Sequence, residues 1–244
     1  MMSLVNCALS ALKNLIGSYP GRCPGLLHFA PLALIAAFAI TAVGQDPTNG
    51  PPRTDKAKKA NRRPAEAPAV VPEPFDGASL EKMAGSCVSL ETELGVIDIE
   101  MIPEVAPESV RGFLNLVATG ALDTTTFSRT VKDFVIQGGN LTTSEKWNEK
   151  LARRMSRTLP DEPGLIKHIR GIVSMARTQE ANSATTHFFI LVGSGQHLDG
   201  KFAAFGRVTK GIEVADEINK APAEGEKPNK PVRINRAIVV PCKK

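Results

Sequence analysis

Residues 127–140, Phe-Ser-Arg-Thr-Val-Lys-Asp-Phe-Val-Ile-Gln-Gly-Gly-Asn, constrain this chain more than any other stretch. The run over 134–137 is aromatic and β-branched and ends in Gly-Gly-Asn, which predicts a strand closed by a turn. Arg129 and Gln137 lie on two segments that a turn at Lys132 and Asp133 folds side by side, with Phe134 between them. A guanidinium, an amide and an aromatic wall brought together suit a group that is apolar but carries an amide.

The rest of the chain supplies a frame for that stretch. Two alternating runs over 87–93 and 96–101, separated by Leu94-Gly95, predict a β-hairpin. Pro107 starts a helix that carries Val110, Phe113, Leu114 and Val117 on one face and stops at Gly120. Further strands are predicted over 171–175, 188–192, 203–208 and 232–240, with a second helix carrying Val214, Ala215 and Ile218. Many short strands with two principal helices predict an all-β fold with helices, a closed antiparallel barrel. Between residues 140 and 160, Thr142 and Glu145 make a capping-box pattern, and Trp147, Leu151 and Met155 recur every four residues. A short amphipathic helix is expected there, its stripe either packing on the barrel or reshaping the wall of a groove.

Composition divides the chain into three parts. Residues 1–44 contain an 18-residue apolar run from Leu26 to Val43 that ends in small residues, the pattern of an export signal. The alternative is an uncleaved membrane anchor, because the run is at the short limit for a spanning helix. Residues 45–75 are rich in Pro, Ala and Lys and nearly empty of large apolar side chains, so a disordered linker is expected. Residues 76–244 hold the patterned segments. After residue 75, 22 Lys/Arg stand against 21 Asp/Glu, so most of the basic excess lies in residues 1–75 and is no footprint for nucleic acid.

The stretch at 127–140 closely resembles the signature of cyclophilin-type peptidyl-prolyl cis-trans isomerases: Phe127, Arg129, Phe134 and Gln137-Gly138-Gly139 at matching spacing. Two further blocks fit the same family in order, Arg170 to Arg177 running on through Asn182 to Ile190, and His197-Leu198-Asp199-Gly200-Lys201 with Phe205-Gly206-Arg207-Val208. The resemblance covers roughly residues 87–241. It implies a cyclophilin-like fold, a closed eight-stranded antiparallel β-barrel with a helix at each end.

By that resemblance, Arg129 is the catalytic residue and no cofactor is needed. Phe134, Val135, Phe189 and Leu198 match a dry pocket for a proline ring, Gln137 matches a side chain that bonds the substrate backbone, and Ala176 and Arg177 match the substrate-contacting segment. Neighbours on a strand face opposite ways, so only one of Phe188 and Phe189 can face the groove; family alignment selects Phe189. Three positions depart from the best-known pattern: His187 replaces a glutamine, His197 a tryptophan associated with cyclosporin binding, and Phe202 a histidine. His187 and His197 have no third ligand at a recognised spacing, and no metal site is expected.

The implied partners are proline-containing, unfolded or partly folded proteins, bound by a monomer; a membrane is involved only through an uncleaved N-terminal segment. The expected location is outside the cytoplasm, in the periplasm, or at the membrane if the N-terminal segment stays as an anchor; export with cleavage would leave only Cys87 and Cys242 in the mature chain. In the barrel that the resemblance implies, these cysteines lie at the start of the first strand and just past the last, close enough to pair. An alternative reading is a proline-binding chaperone or scaffold module with little catalysis.

Overall fold

The computed structural model describes residues 71–242. The expected export segment and the linker up to residue 70 lie outside the described residues. Among the described residues no helix is long and apolar enough to cross a membrane.

The chain runs α1 (Leu80–Ala84), β1 (Ser86–Thr92), β2 (Gly95–Met101), α2 (Pro107–Ala118), β3 (Arg129–Val131) and β4 (Val135–Gly138). There follow α3 (Glu149–Met155), β5 (Ile172–Met175), β6 (Phe188–Leu191), β7 (Ala204–Lys210), α4 (Ile212–Lys220), a ribbon of β8 (Ala223–Glu224) and β9 (Lys227–Pro228), and β10 (Ile234–Pro241). Eight strands form one antiparallel sheet in the order β10-β1-β2-β7-β5-β6-β4-β3. Its two edges are drawn together at the start of β10 and in the segment before β3, where Phe127 N–H donates to Val232 C=O at 2.9 Å and Ile234 N–H to Thr125 C=O at 2.8 Å. The fold is thus an all-β architecture with helices, eight antiparallel strands in one curled sheet, as expected from the sequence.

Strand alternation builds two hydrophobic bodies. Ile136, Val173, Phe188, Ile190 and Phe205 point into the main core, where Phe113 of α2 stacks on Phe188 and Phe205 with ring centroids 5.1 and 4.9 Å apart. Their neighbours Val135, Ile172, Phe189, Leu191 and Ala204 gather on the other face with Leu198. That second cluster floors the groove described below. Helix α2 buries Val110, Phe113, Leu114 and Val117 as expected, and its missing side-chain cap is supplied from afar. The Glu162 carboxylate accepts from the N–H groups of Glu108 and Ser109 at 2.9 and 2.7 Å, placing negative charge at a helix N-terminus.

Three expectations need correction. The strand expected over 134–137 is shifted by one residue, because Phe134 belongs to the turn: its N–H donates to Val131 C=O at 3.0 Å. The helix after Asn140 does not begin at Thr142. Asn140 caps a short 3₁₀ turn (Leu141–Thr143), and a separate cap, Asn148, starts α3. Trp147 therefore falls outside α3 and is exposed, while Leu151 and Met155 pack on the main core. Finally, packing begins before residue 76. Phe75 is buried, its N–H donates to the Asn115 Oδ1 at 2.8 Å, and Glu73 pairs with Arg154 and Arg157 at 3.2 Å each. Helix α3 thus serves the barrel wall and the lead-in segment, and contributes nothing to the groove lining.

Cys87 and Cys242 are joined by a disulfide with a Cα separation of 4.9 Å. The antiparallel pairing of β1 with β10 brings them together, since Cys87 lies opposite Val240 and Cys242 follows Pro241 at the strand end.

Candidate active site

The site is a register row. Arg129 on β3 lies opposite Gln137 on β4, Gln137 opposite Phe189 on β6, Phe189 opposite Ser174 on β5, and Ser174 opposite Ala204 on β7. Residues directly opposite in an antiparallel pair project to the same face, so the pairing alone puts a guanidinium, an amide and an aromatic ring side by side. They line a groove of about 220 Å³ together with Phe134, Val135, Ala176, Arg177, Leu198 and Phe202.

The three-residue turn between β3 and β4 delivers two of these groups. Asp133 takes a left-handed conformation (φ 56°), and the turn is clamped by the buried Asn219 of α4. Asn219 accepts from the Asp133 N–H at 2.8 Å and donates to the Val131 and Val135 carbonyls at 2.8 and 3.0 Å. All of its amide's main bonding capacity is thus spent on holding one turn, a role the sequence did not disclose. A second fixed point is Gly139 (φ 82°), where an added Cβ would come within 2.1 Å of the Thr186 carbonyl oxygen. Only glycine allows β4 and the segment before β6 to approach so closely.

Arg129 is half-buried at the groove wall. Its Nη1 donates to Gln137 Oε1 at 3.0 Å and its Nε to Glu226 Oε2 at 2.7 Å. The hydrogen bond and charge of Arg129 hold the Glu226 carboxyl below the ordinary glutamate range. The apolar side of the groove is formed by Phe134, Val135, Phe189 and Leu198, with Phe202 edge-on to Phe189 at a centroid distance of 6.0 Å. Arg177 lies over the Phe202 ring at 5.1 Å and donates to the Lys201 carbonyl, closing that rim.

Nine of the residues expected at the site therefore share one groove, and two do not line it. His197 instead stacks on Phe134 with ring centroids 5.3 Å apart, because the 3₁₀ turn Gln196–Leu198 turns Leu198 inward in its place. His187 is half-buried one residue before β6, and its carbonyl accepts from the Ala176 N–H at 2.9 Å. Burial pushes its imidazole pKa down from the usual 6.5. The residue missed altogether is Glu226, remote in sequence and surrounded by lysines, prolines and another glutamate that gave it no signal.

A larger concavity of about 570 Å³ lies beside α3, but it lacks such convergence. Three of its four basic groups, Lys146, Arg153 and Arg154, are paired with a carboxylate, Asp123, Glu149 and Glu73 respectively, which leaves Lys150 without an ion pair among the described residues.

Comparison with known proteins bears on the fold and the family. Residues 87–239 match the family model described as cyclophilin type peptidyl-prolyl cis-trans isomerase/CLD. The chain is 35% identical over 163 residues to peptidyl-prolyl cis-trans isomerase A of Dickeya dadantii, covering 63% of this chain and 84% of that protein. It is 33% identical over 147 residues to peptidyl-prolyl cis-trans isomerase CYP23 of Arabidopsis thaliana, covering 59% of this chain and 65% of that relative's length. Among solved structures it resembles a Cryptosporidium parvum cyclophilin-type isomerase crystallised in the presence of the dipeptide Ala-Pro. There the TM-score is 0.56 at 29% identity, over 63% of this chain and 98% of the other.

Proposed function

The chain belongs to the cyclophilin-type peptidyl-prolyl cis-trans isomerases, and from that premise we propose that Arg129 stabilises the twisted X-Pro amide while the groove holds the proline ring. Amide resonance sets a barrier of about 18 to 20 kcal/mol to rotation, so the unaided step takes tens to hundreds of seconds. Lowering it by roughly 3 to 7 kcal/mol brings the rate into the range of ordinary enzymes. As the bond twists, the proline nitrogen becomes pyramidal and regains its lone pair. A donor aimed at that nitrogen favours the twisted state over either planar one, which is what raises turnover.

The single observation that carries this reading is Arg129 held at 3.0 Å by Gln137 on the rim of an apolar floor of Phe134, Phe189 and Leu198. The guanidinium is charged at every relevant pH and presents a rigid fork of donors. Val135 and Phe202 complete the dry surface, and the backbone at Ala176 and Arg177 is the opposite wall for a bound peptide. The Ala-Pro dipeptide used with the Cryptosporidium relative is the minimal ligand of this kind.

We place the working compartment outside the cytoplasm, with folding of exported proteins as the task. The Cys87–Cys242 bond supports this, because structural disulfides persist in oxidising compartments. The test of the activity is a proline-isomerisation assay on a short X-Pro peptide with the full chain. Catalysis by the unmodified protein and a loss of tenfold or more in Arg129→Ala are expected; binding of the peptide without acceleration would instead establish a proline-binding module.

A further inference from the structure

We infer that Glu226 is a positioning residue that fixes the orientation of the Arg129 guanidinium for isomerisation, an inference that rests on the assignment of Arg129 as the catalytic donor.

A guanidinium on a long flexible stem is useful as a donor only when its plane is set, since an arginine side chain carries about 2 kcal/mol of rotamer entropy. Gln137 contributes one anchor through Nη1. One hydrogen bond leaves the plane free to swing about it, and in the proposed reading the same glutamine also serves the substrate backbone. The Glu226 carboxylate supplies the second anchor at Nε. With Nε and Nη1 both held, Nη2, which makes no hydrogen bond among the described residues, is left for the reacting amide.

The fold sets Glu226 in place with a dedicated element. The β8–β9 ribbon turns on Gly225-Glu226, and Gly225 adopts the positive φ (61°) that the first position of a tight two-residue hairpin turn demands. The turn is tied to the catalytic strand through its backbone, where the Thr130 N–H donates to the Glu226 carbonyl at 2.8 Å. The side chain then reaches the residue before Thr130. Because the backbone tie does not involve the carboxylate, replacing the side chain leaves the ribbon docked. Glu224, on the same ribbon, forms no ion pair with Arg129 among the described residues and serves as a control for local charge.

The experiment measures kcat and KM for an X-Pro peptide at low salt with the full chain and its variants Glu226→Ala, Glu226→Gln, Glu224→Ala, Arg129→Ala and Arg129→Ala/Glu226→Ala. Both partners are solvent-accessible, so the expected fall in kcat for Glu226→Ala is about two- to fivefold, the range of an exposed ion pair. KM should stay within about 1.5-fold, because an interaction realised only in the twisted state leaves ground-state binding unchanged. Glu226→Gln, which keeps an acceptor oxygen, recovers at least half of the lost rate, and Glu224→Ala is indistinguishable from the unmodified chain. In the Arg129→Ala background, Glu226→Ala has no further effect. A slow Arg129→Ala with an unaffected Glu226→Ala overturns the role of Glu226 alone, as does the same loss in both backgrounds or a rise in KM at constant kcat. A fully active Arg129→Ala overturns the assignment of Arg129 itself, and with it the role of Glu226.

Discussion

Arg129 and Gln137 stand directly opposite each other on adjacent antiparallel strands, with Nη1 3.0 Å from Oε1. The contact is a consequence of strand register and of a three-residue turn, so eight residues of sequence separation become one hydrogen bond. It also separates two properties of the arginine, its charge and its fork.

Arg129→Lys keeps the charge but cannot serve Gln137, Glu226 and a substrate nitrogen from one rigid plane. Its kcat/KM is expected to fall at least tenfold, close to that of Arg129→Ala, with an unchanged thermal midpoint. A lysine variant within about twofold of the unmodified rate would show that charge alone suffices.

His187 makes stability pH-dependent near neutrality. Burial lowers its folded-state pKa below 6.5, so the unfolded chain takes up the proton first as pH falls. The stability contribution is full above pH 6.5 and is lost as pH falls through the folded pKa. The urea midpoint should therefore decline below about pH 6.5 in the unmodified protein and decline less in His187→Gln. The carboxylates with lowered pKa, Asp76, Asp199, Asp216 and Glu226, act only at more acidic pH.

The disulfide closes the domain end to end across 155 residues. Chain-entropy reasoning gives about 4 to 5 kcal/mol for a loop of this length, as an upper figure. Cys87→Ser/Cys242→Ser should unfold at a clearly lower urea concentration with the same isomerase rate under native conditions. Denatured protein prepared without reductant should show no free thiol from this pair.

The lead-in before residue 76 is part of the folded body. A chain starting at residue 76 loses the burial of Phe75 and leaves Asn115 Oδ1 without its backbone donor. Its stability should fall by roughly 2 to 4 kcal/mol relative to a chain starting at residue 71. Denaturant melts of the two chains decide it.

Cyclosporin should inhibit weakly, since His197 replaces the tryptophan that the family resemblance associates with its binding and stacks on Phe134. His197→Trp should tighten inhibition with peptide turnover within a few-fold, measured by inhibitor titration. Nanomolar inhibition of the unmodified chain would remove the basis for this expectation.

What the sequence by itself determined is what local pattern can carry. Alternation separated Phe188 from Phe189, helical spacing found the buried face of α2, and the spacing from Arg129 to Gln137 held the pair that register then aligned. Trp147 was misjudged because Asn140 and Asn148 each offer a cap to the backbone, and two short turns satisfy more of its groups than one continuous helix from Thr142. Glu162 at the α2 N-terminus, Asn219 in the β3–β4 turn and Glu226 on Arg129 act across separations of 53, 86 and 97 residues. No periodicity links such residues, because a hydrogen bond depends on where the folded chain places its two ends. Tertiary structure alone decided these three, and with them how firmly the β3–β4 turn and the Arg129 guanidinium are held.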